Sequence, residues 1–193
     1  SHAYVYDRKG NRLSEIAFPT FGTAYFSTDK DSDEVYYSFT SFTYPSAIYR
    51  YDMATGESTL VSAPEIEGVD MSDYVTEQVF YPSADGTKIP MFITYKKGLE
   101  RNGKNPVYLY GYGGFNVSLP PSFSPQRLLW LENGGIYAQA NLRGGSEYGE
   151  AWHQAGTKTN KLNVFNDFIA AAEYMIGEGW TSKDYLTIEG GSN

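Results

Sequence analysis

The first third of the chain alternates apolar and polar residues in short runs, which are separated by polar, turn-forming stretches such as residues 7–11 and 29–33. Alternation with a period of two places apolar side chains on one face of an extended backbone, so each run predicts a β-strand. Six strands are predicted, at residues 3–6, 12–18, 23–27, 34–39, 47–51 and 58–62. Short strands at regular spacing are typical of a β-meander in a propeller blade or a sandwich.

The pattern changes after residues 64–70, which are rich in turn formers and acidic residues and predict a linker. Apolar runs beyond it predict strands at residues 74–81, 87–95, 106–110, 136–141 and 185–189. A helix precedes the last of these strands, and the order strand, helix, strand favours a parallel sheet covered by helices. The chain therefore divides into an all-β segment, residues 1–67, and an α/β segment, residues 68–193.

Residues 163–179 carry the one strong helical pattern. Apolar side chains recur there every three to four positions and form one face, made of Val164, Phe168, Ala171 and Met175. A second apolar row lies beside it, made of Phe165, Ile169, Ala172 and Ile176. Asn163 is a candidate to cap the first turn, and Gly177 or Gly179 is a candidate to end the last one.

Composition and charge narrow the classes of partner. A net charge of −8 over 193 residues disfavours binding to nucleic acid, whose backbone is anionic. The absence of cysteine excludes disulfides, thiolate zinc sites and cysteine nucleophiles. Two distant histidines make a weak case for a metal, and no apolar run approaches the ~20 residues that span a bilayer. We therefore expect no cofactor, no metal and no membrane partner, and we interpret the chain, which opens inside a strand pattern, as a segment of a longer protein.

The sequence Gly190-Gly191-Ser192-Asn193 directly follows a predicted strand. The nucleophile elbow of α/β-hydrolases, G-x-S-x-G, stands at the same kind of place, and small neighbours keep its sharp turn free of collisions. A Gly-Gly-Ser sequence is also typical of an ordinary loop, so the motif alone leaves both interpretations open. We call residues 190–193 the serine corner.

Two further glycine-rich clusters each follow a strand. Residues 108–115 end in a glycine-rich turn, and in α/β-hydrolases a loop after an early strand supplies a donor to the oxyanion hole. Taken alone, this cluster is more typical of a tight turn with packed aromatic rings. Residues 141–149 predict a strand end followed by a turn, to which we assign a structural role.

These clusters occur in the order that is found in the prolyl oligopeptidase family of serine peptidases, and residues 69–193 closely resemble that family. The matching segments are residues 80–83, 85–92, 110–116, 141–149 with Trp152-His153, 163–174 and 190–193. Residues 1–67 are more loosely similar to the last part of the β-propeller in such enzymes. The resemblance implies the catalytic portion of an α/β-hydrolase preceded by β-propeller-like strands.

The resemblance also implies roles for four residues. Ser192 is similar to the nucleophile, and Asn193 to the residue whose backbone N–H forms part of the oxyanion hole. Tyr112 is similar to the tyrosine whose hydroxyl is the other donor, and Phe115 to an aromatic wall of the pocket for proline. The chemistry agrees, because a phenol keeps its proton at neutral pH and an aromatic face suits the apolar pyrrolidine ring.

The aspartate and histidine of the family's triad lie downstream of the serine and are absent from these residues. His153, Asp167 and Asp184 all precede Ser192 and do not match the triad positions, so the chain alone is expected to be inactive. The remainder of the catalytic domain is the expected partner, and a short proline-containing peptide the expected substrate. The whole protein is then expected to cleave on the carboxyl side of proline through an acyl-enzyme on Ser192.

Three alternatives stay open: an oligopeptidase for basic residues, an esterase of the same fold, and a non-catalytic binding fragment. Asn193 and the pair Gly114-Phe115 favour the proline enzyme over the basic-residue enzyme. The propeller-like first segment disfavours the esterase.

Overall fold

The computed structural model describes residues 2–193, which form two compact units. Unit 1 contains the chain up to Met71 together with the short segment Pro120–Ser124. Unit 2 contains Ser72–Leu119 and Pro125–Asn193. The sequence predicts a boundary between residues 67 and 68, and it gives no sign that Pro120–Ser124 belongs with the first unit.

Unit 1 is built from antiparallel strands in sequence order. A two-stranded sheet pairs β1 with β2, and a four-stranded meander follows in the order β3-β4-β5-β6. The strand bounds are Ala3–Tyr6 (β1), Arg12–Ile16 (β2), Thr23–Thr28 (β3), Glu34–Ser41 (β4), Tyr44–Asp52 (β5) and Ser58–Ser62 (β6). All six predicted strands are present, and the small core between them consists of Ile16, Tyr37, Phe39 and Tyr51.

Unit 2 contains a five-stranded mixed sheet in the order β11-β9-β10-β8-β7. The strand bounds are Tyr74–Pro82 (β7), Lys88–Lys96 (β8), Val107–Gly111 (β9), Ile136–Ala140 (β10) and Leu186–Glu189 (β11). The three strands β9, β10 and β11 are parallel, as the strand–helix–strand pattern predicts, whereas β7 and β8 pair antiparallel. Every residue of β10 is buried, which explains why it reads as one apolar run rather than as an alternation.

Three α-helices accompany the sheet: Pro125–Glu132 (α1), Glu150–Gln154 (α2) and Leu162–Gly177 (α3). The sequence predicts only α3. The helix α1 is short and exposes Leu129 while it buries Leu128 and Leu131, so its apolar spacing is weak. The helix α2 has five residues, too few to show a helical period.

The start of α3 differs from the prediction. Asn163 lies inside the first turn and does not cap it, since Lys161 occupies the N-cap position and its side chain makes no capping bond. The side-chain amide of Asn163 instead donates to the carbonyl oxygen of Ala155, at 2.9 Å. The end agrees with the prediction, because Gly177 is the last helical residue and Gly179 follows with a φ of +74°.

The buried face of α3 includes the predicted Val164, Ala171 and Met175 and one residue that was not predicted, Asp167. The second apolar row is largely uncovered, since Phe165 and Ile169 are 50% and 56% exposed. Across residues 2–193 no helix has both the length and the apolarity to cross a bilayer.

Candidate active site

The segments that follow the three parallel strands of unit 2 lie at the same end of the sheet, beyond the carboxyl ends of these strands. The strand β9 lies between β10 and β11, with Gly111 opposite Ala140 and Tyr110 opposite Glu189. The chain passes from β9 to β10 on one side and then to β11 on the other, which makes the end of β9 a topological switch point. Ligand sites in such sheets form outside the carboxyl ends of the strands at this point.

The serine corner is a strained turn. Ser192 is exposed and has a φ of +66°, a left-handed conformation that is uncommon for a residue with a side chain. The N–H of Asn193 donates to the carbonyl oxygen of Gly191 at 2.7 Å, which closes a three-residue turn around Ser192. The backbone is therefore as sharp as a nucleophile elbow requires.

The crowding expected at both glycines of the corner is present at only one of them. A Cβ added to Gly190 would lie 3.3 Å from the carbonyl oxygen of Gly111, whereas one added to Gly191 would meet no other atom of residues 2–193 within 4 Å. Gly190 is thus the glycine that lets the corner lie close to the end of β9.

The residue after Ser192 ties the corner to the segment that follows β9. The side-chain amide of Asn193 donates to the carbonyl oxygens of Tyr112 and Gly113, at 2.9 and 2.7 Å. A Cβ on Gly114 would overlap the Asn193 side chain, so only glycine leaves this approach open. The structure therefore brings the side chain of Asn193, the residue after Ser192, to the main chain of Tyr112 and Gly113.

We call residues 111–117 the glycine turn. Its tip is a type I′ β-turn, in which Val117 donates to the Gly114 carbonyl at 3.0 Å and the two central residues, Phe115 and Asn116, have φ of 52° and 58°. The side chain of Phe115 is 72% exposed, so the predicted pocket wall presents an open aromatic surface.

Gly113, the third residue of the glycine turn, has close neighbours on two sides. A Cβ at Gly113 would overlap Val164 of α3, and one at Gly144 would lie 2.6 Å from the Gly113 carbonyl oxygen. The ammonium of Lys161 also donates to that oxygen, at 3.1 Å, and burial lowers the pKa of this lysine. Sequence reasoning did not single out Lys161, because no motif marks a lysine that binds a main-chain carbonyl 48 residues away.

A buried ion pair fixes the segment after β10. The guanidinium of Arg143 contacts both carboxylate oxygens of Asp167, at 2.6 Å from Nη2 to Oδ1 and 3.0 Å from Nε to Oδ2. It also donates to Asp85 at 2.6 Å, and Ser83 donates to Asp167 at 2.6 Å. The hydrogen bond from Arg143 lowers the pKa of Asp85, and the hydrogen bond to Asp167 raises the pKa of Arg143.

The two aspartates and the histidine that precede Ser192, namely Asp167, Asp184 and His153, have different surroundings. Asp167 is fully buried and forms an ion pair with Arg143. Asp184 is exposed and lies in the turn that precedes β11. The ring nitrogen Nδ1 of His153 lies 2.9 Å from the Gly144 carbonyl oxygen. Within the part of the chain that the structure describes, no group of three or more acidic or histidine side chains could hold a metal ion.

Comparison with known families and proteins follows the same division of the chain. Residues 3–64 match the model of the N-terminal β-propeller domain of prolyl oligopeptidase, and residues 121–193 match that of the prolyl oligopeptidase family. Among curated proteins, the prolyl endopeptidase of Elizabethkingia meningoseptica is 52% identical over 97% of this chain, and that of Dictyostelium discoideum is 47% identical over 98%. The matches cover 27% and 25% of those two proteins, so the chain spans about a quarter of their length.

Solved structures agree with this result. One from a study of two prolyl endopeptidases and their inter-domain dynamics superposes with a TM-score of 0.94 at 46% identity, over 99% of this chain and 28% of that one. Prolyl oligopeptidase B of Galerina marginata, bound to a 25-residue macrocyclization substrate, superposes with a TM-score of 0.93 at 35% identity, over 98% and 27%. The expected fold class, an α/β-hydrolase portion preceded by β-propeller strands, is confirmed.

Proposed function

Since the chain belongs to the prolyl oligopeptidase family, we propose that the whole protein is a serine endopeptidase that cleaves short peptides on the carboxyl side of proline. One observation carries the proposal. Ser192 occupies a strained corner at the end of β11, and the next residue, Asn193, is bound to the main chain of Tyr112 and Gly113.

The chemistry begins with the hydroxyl of Ser192. Its oxygen attacks the carbonyl carbon of the scissile peptide bond, its proton passes to a base, and the carbonyl oxygen becomes an oxyanion. Collapse of this intermediate expels the amine, which takes up a proton, and leaves an ester on Ser192. Water then attacks the ester by the same route and releases the acid.

The oxyanion is the charge that the site must stabilise. The hydroxyl of Tyr112 and the N–H of Asn193 are the proposed donors, each worth roughly 3–4 kcal/mol of the barrier. In the structure the Asn193 N–H donates to Gly191, so binding of the oxyanion exchanges this short-range bond for one to the substrate.

Phe115 supports the preference for proline. It is exposed at the tip of the glycine turn, where an aromatic face can pack against a pyrrolidine ring. Similarity to proteins named prolyl endopeptidase also supports proline, rather than a basic residue, as the residue before the scissile bond. The match of residues 3–64 to a propeller domain disfavours a simple esterase.

The base and its orienting acid are proposed to belong to the remainder of the catalytic domain, which is also the proposed partner of this chain. The strand β11 is an edge of the sheet, and Ile188 on it is 61% exposed. Phe165 and Ile169 on α3 are exposed as well. An open strand edge beside apolar side chains is the kind of surface that further elements of a sheet cover.

The test uses the full-length protein and two chromogenic peptides that differ only in proline or arginine before the scissile bond. We expect cleavage after proline, loss of activity in Ser192→Ala, and no turnover by residues 1–193 alone. A preference for arginine would refute the substrate class, and full activity of Ser192→Ala would refute the nucleophile. Hydrolysis of activated esters without hydrolysis of peptides would instead support the esterase.

A further inference from the structure

We propose that Lys161 is a positioning residue of the acyl-transfer site, which holds the Gly113 carbonyl and, through it, the side chain of Asn193. The inference rests on the proposed function, because it assigns a further residue to the same site.

Two donors meet at one oxygen of the glycine turn. The Gly113 carbonyl accepts from the ammonium of Lys161 at 3.1 Å and from the side-chain amide of Asn193 at 2.7 Å. A carbonyl oxygen has two lone pairs, so these two donors complete its hydrogen bonding. The oxygen thereby joins the start of α3 to the residue that follows the nucleophile.

The main chain around Lys161 is itself fixed. Its N–H donates to the carbonyl oxygen of Lys158 at 3.2 Å, and its own carbonyl accepts from Val164 at 3.0 Å. Val164 is also the side chain that a Cβ on Gly113 would overlap. The hydrogen-bonded start of α3 therefore holds the Lys161 ammonium at the Gly113 carbonyl. The same helix lies against Gly113 through Val164.

The stability of α3 does not explain a lysine at this position. Lys161 has a helical backbone and joins the turn Lys158–Asn160 to the first turn of α3, where the helix dipole favours negative charge. Partial burial also lowers the pKa of Lys161, which shows that the charged form is held at a cost in desolvation. A cation placed against both local preferences needs a partner that compensates, and the Gly113 carbonyl is that partner.

The charge also suits the proposed chemistry. A hydrogen bond from an ammonium is stronger than one between neutral groups, so it resists displacement of the carbonyl when substrate binds. The ammonium and the Asn193 side chain share one acceptor, which places the positive charge beside the residue whose N–H is the proposed oxyanion donor. A preorganised positive charge near a developing anion lowers the barrier.

The experiment compares three variants of the full-length protein. Lys161→Met keeps the aliphatic stem and removes the donor and the charge, and Lys161→Arg keeps both. Lys158→Met removes an exposed lysine in the turn before α3 and serves as the matched control. Two readouts are measured: steady-state cleavage of a proline chromogenic peptide, and the rate at which a fluorophosphonate labels Ser192.

We expect Lys161→Met to lower kcat by about 10- to 100-fold, as expected for a misplaced catalytic group, with KM changed less than about twofold. Labelling of Ser192 should slow in parallel, Lys161→Arg should recover most of both rates, and Lys158→Met should match the wild type. A kcat for Lys161→Met within twofold of wild type overturns the inference. So does a loss that Lys161→Arg fails to recover while its melting temperature equals that of the wild type.

The two proposals can fail separately. If the wild type cleaves no proline peptide, the proposed substrate class is wrong, but the labelling rates still test whether Lys161 positions the site. If the wild type cleaves proline peptides and all variants label and cleave alike, only the role of Lys161 is wrong.

Discussion

Arg143 and Asp167 form a buried ion pair in which Nη2 of the guanidinium lies 2.6 Å from Oδ1 of the carboxylate. The side chains are 5% and 0% exposed. The pair connects the segment after β10 to the middle of α3, and both of these elements contact the glycine turn. The pair therefore holds together two elements that both flank the glycine turn.

Removing one partner of this pair should be severely destabilising. Arg143→Met leaves the Asp167 carboxylate buried without its cation, which should cost about 3–5 kcal/mol in the free energy of unfolding. Lys96→Met removes a cation from an exposed pair with Glu132 in the same unit and should cost less than about 1 kcal/mol. Urea unfolding of the full-length variants measures both. Equal costs for the two variants would contradict the assigned role of the pair.

Asp85 should make part of the stability depend on pH. Its bond to Arg143 lowers its pKa in the folded state below the unfolded value of about 3.9, so its contribution is present above about pH 4 and is lost as the pH falls further. The carboxylate is 47% exposed, which weakens the pair through solvent screening. The difference in urea midpoint between wild type and Asp85→Asn should therefore be small at pH 7 and should decrease as the pH is lowered below about 4. A difference that is constant or larger in acid would contradict this assignment.

Gly114→Ala should impair the site more than the fold. The added Cβ overlaps the end of the Asn193 side chain, which can swing away and give up its bonds to Tyr112 and Gly113. We expect kcat to fall by at least about tenfold while the melting temperature changes little. Gly177→Ala, at an uncrowded helical position, is the control and should slightly raise stability without any effect on kcat. Unchanged kcat in Gly114→Ala would show that the bonds of Asn193 are dispensable.

Tyr112→Phe tests the predicted oxyanion donor. The ring is kept and only the hydroxyl is lost, so kcat should fall by about 100- to 1000-fold with little change in KM. Tyr148→Phe, which removes an exposed hydroxyl from the same unit, should have no effect on either constant. Steady-state kinetics on a proline chromogenic peptide measure kcat and KM for both variants. If Tyr112→Phe raised KM and left kcat intact, the hydroxyl would be a substrate-binding group instead.

Residues 1–193 expressed alone should self-associate. The exposed apolar side chains of Phe165 and Ile169 are poorly solvated by water. The edge strand β11 presents backbone N–H and C=O groups that can pair with a strand of another chain. Light scattering coupled to size exclusion should report oligomers or aggregates, and the double substitution F165E/I169E should reduce them. A monomer that unfolds cooperatively would contradict the interpretation of the chain as part of a larger domain.

Most elements could be predicted from local pattern. The strands follow from alternation, α3 from its 3.6-residue period, and the corner at Ser192 from glycines directly after an apolar run. The failures are local as well. Asn163 has the right residue type for a cap, yet α3 begins one residue before it, at Leu162. The side-chain amide of Asn163 donates to the Ala155 carbonyl instead. The helix α1 was missed because Leu129 breaks the apolar spacing.

The sequence by itself therefore determined the order of strands and helices and the position of the serine corner. By resemblance it also predicts roles for Ser192, Tyr112, Asn193 and Phe115, which stay predictions. Only the tertiary structure decided which residues support them. Asn193 meets Tyr112 across 81 positions of sequence, Lys161 meets Gly113 across 48, and Arg143 meets Asp167 across 24. Periodicity records which face of an element is apolar, whereas such pairs depend on which strands become neighbours and in what register. That choice is made by the packing of the whole sheet, so no local pattern contains it.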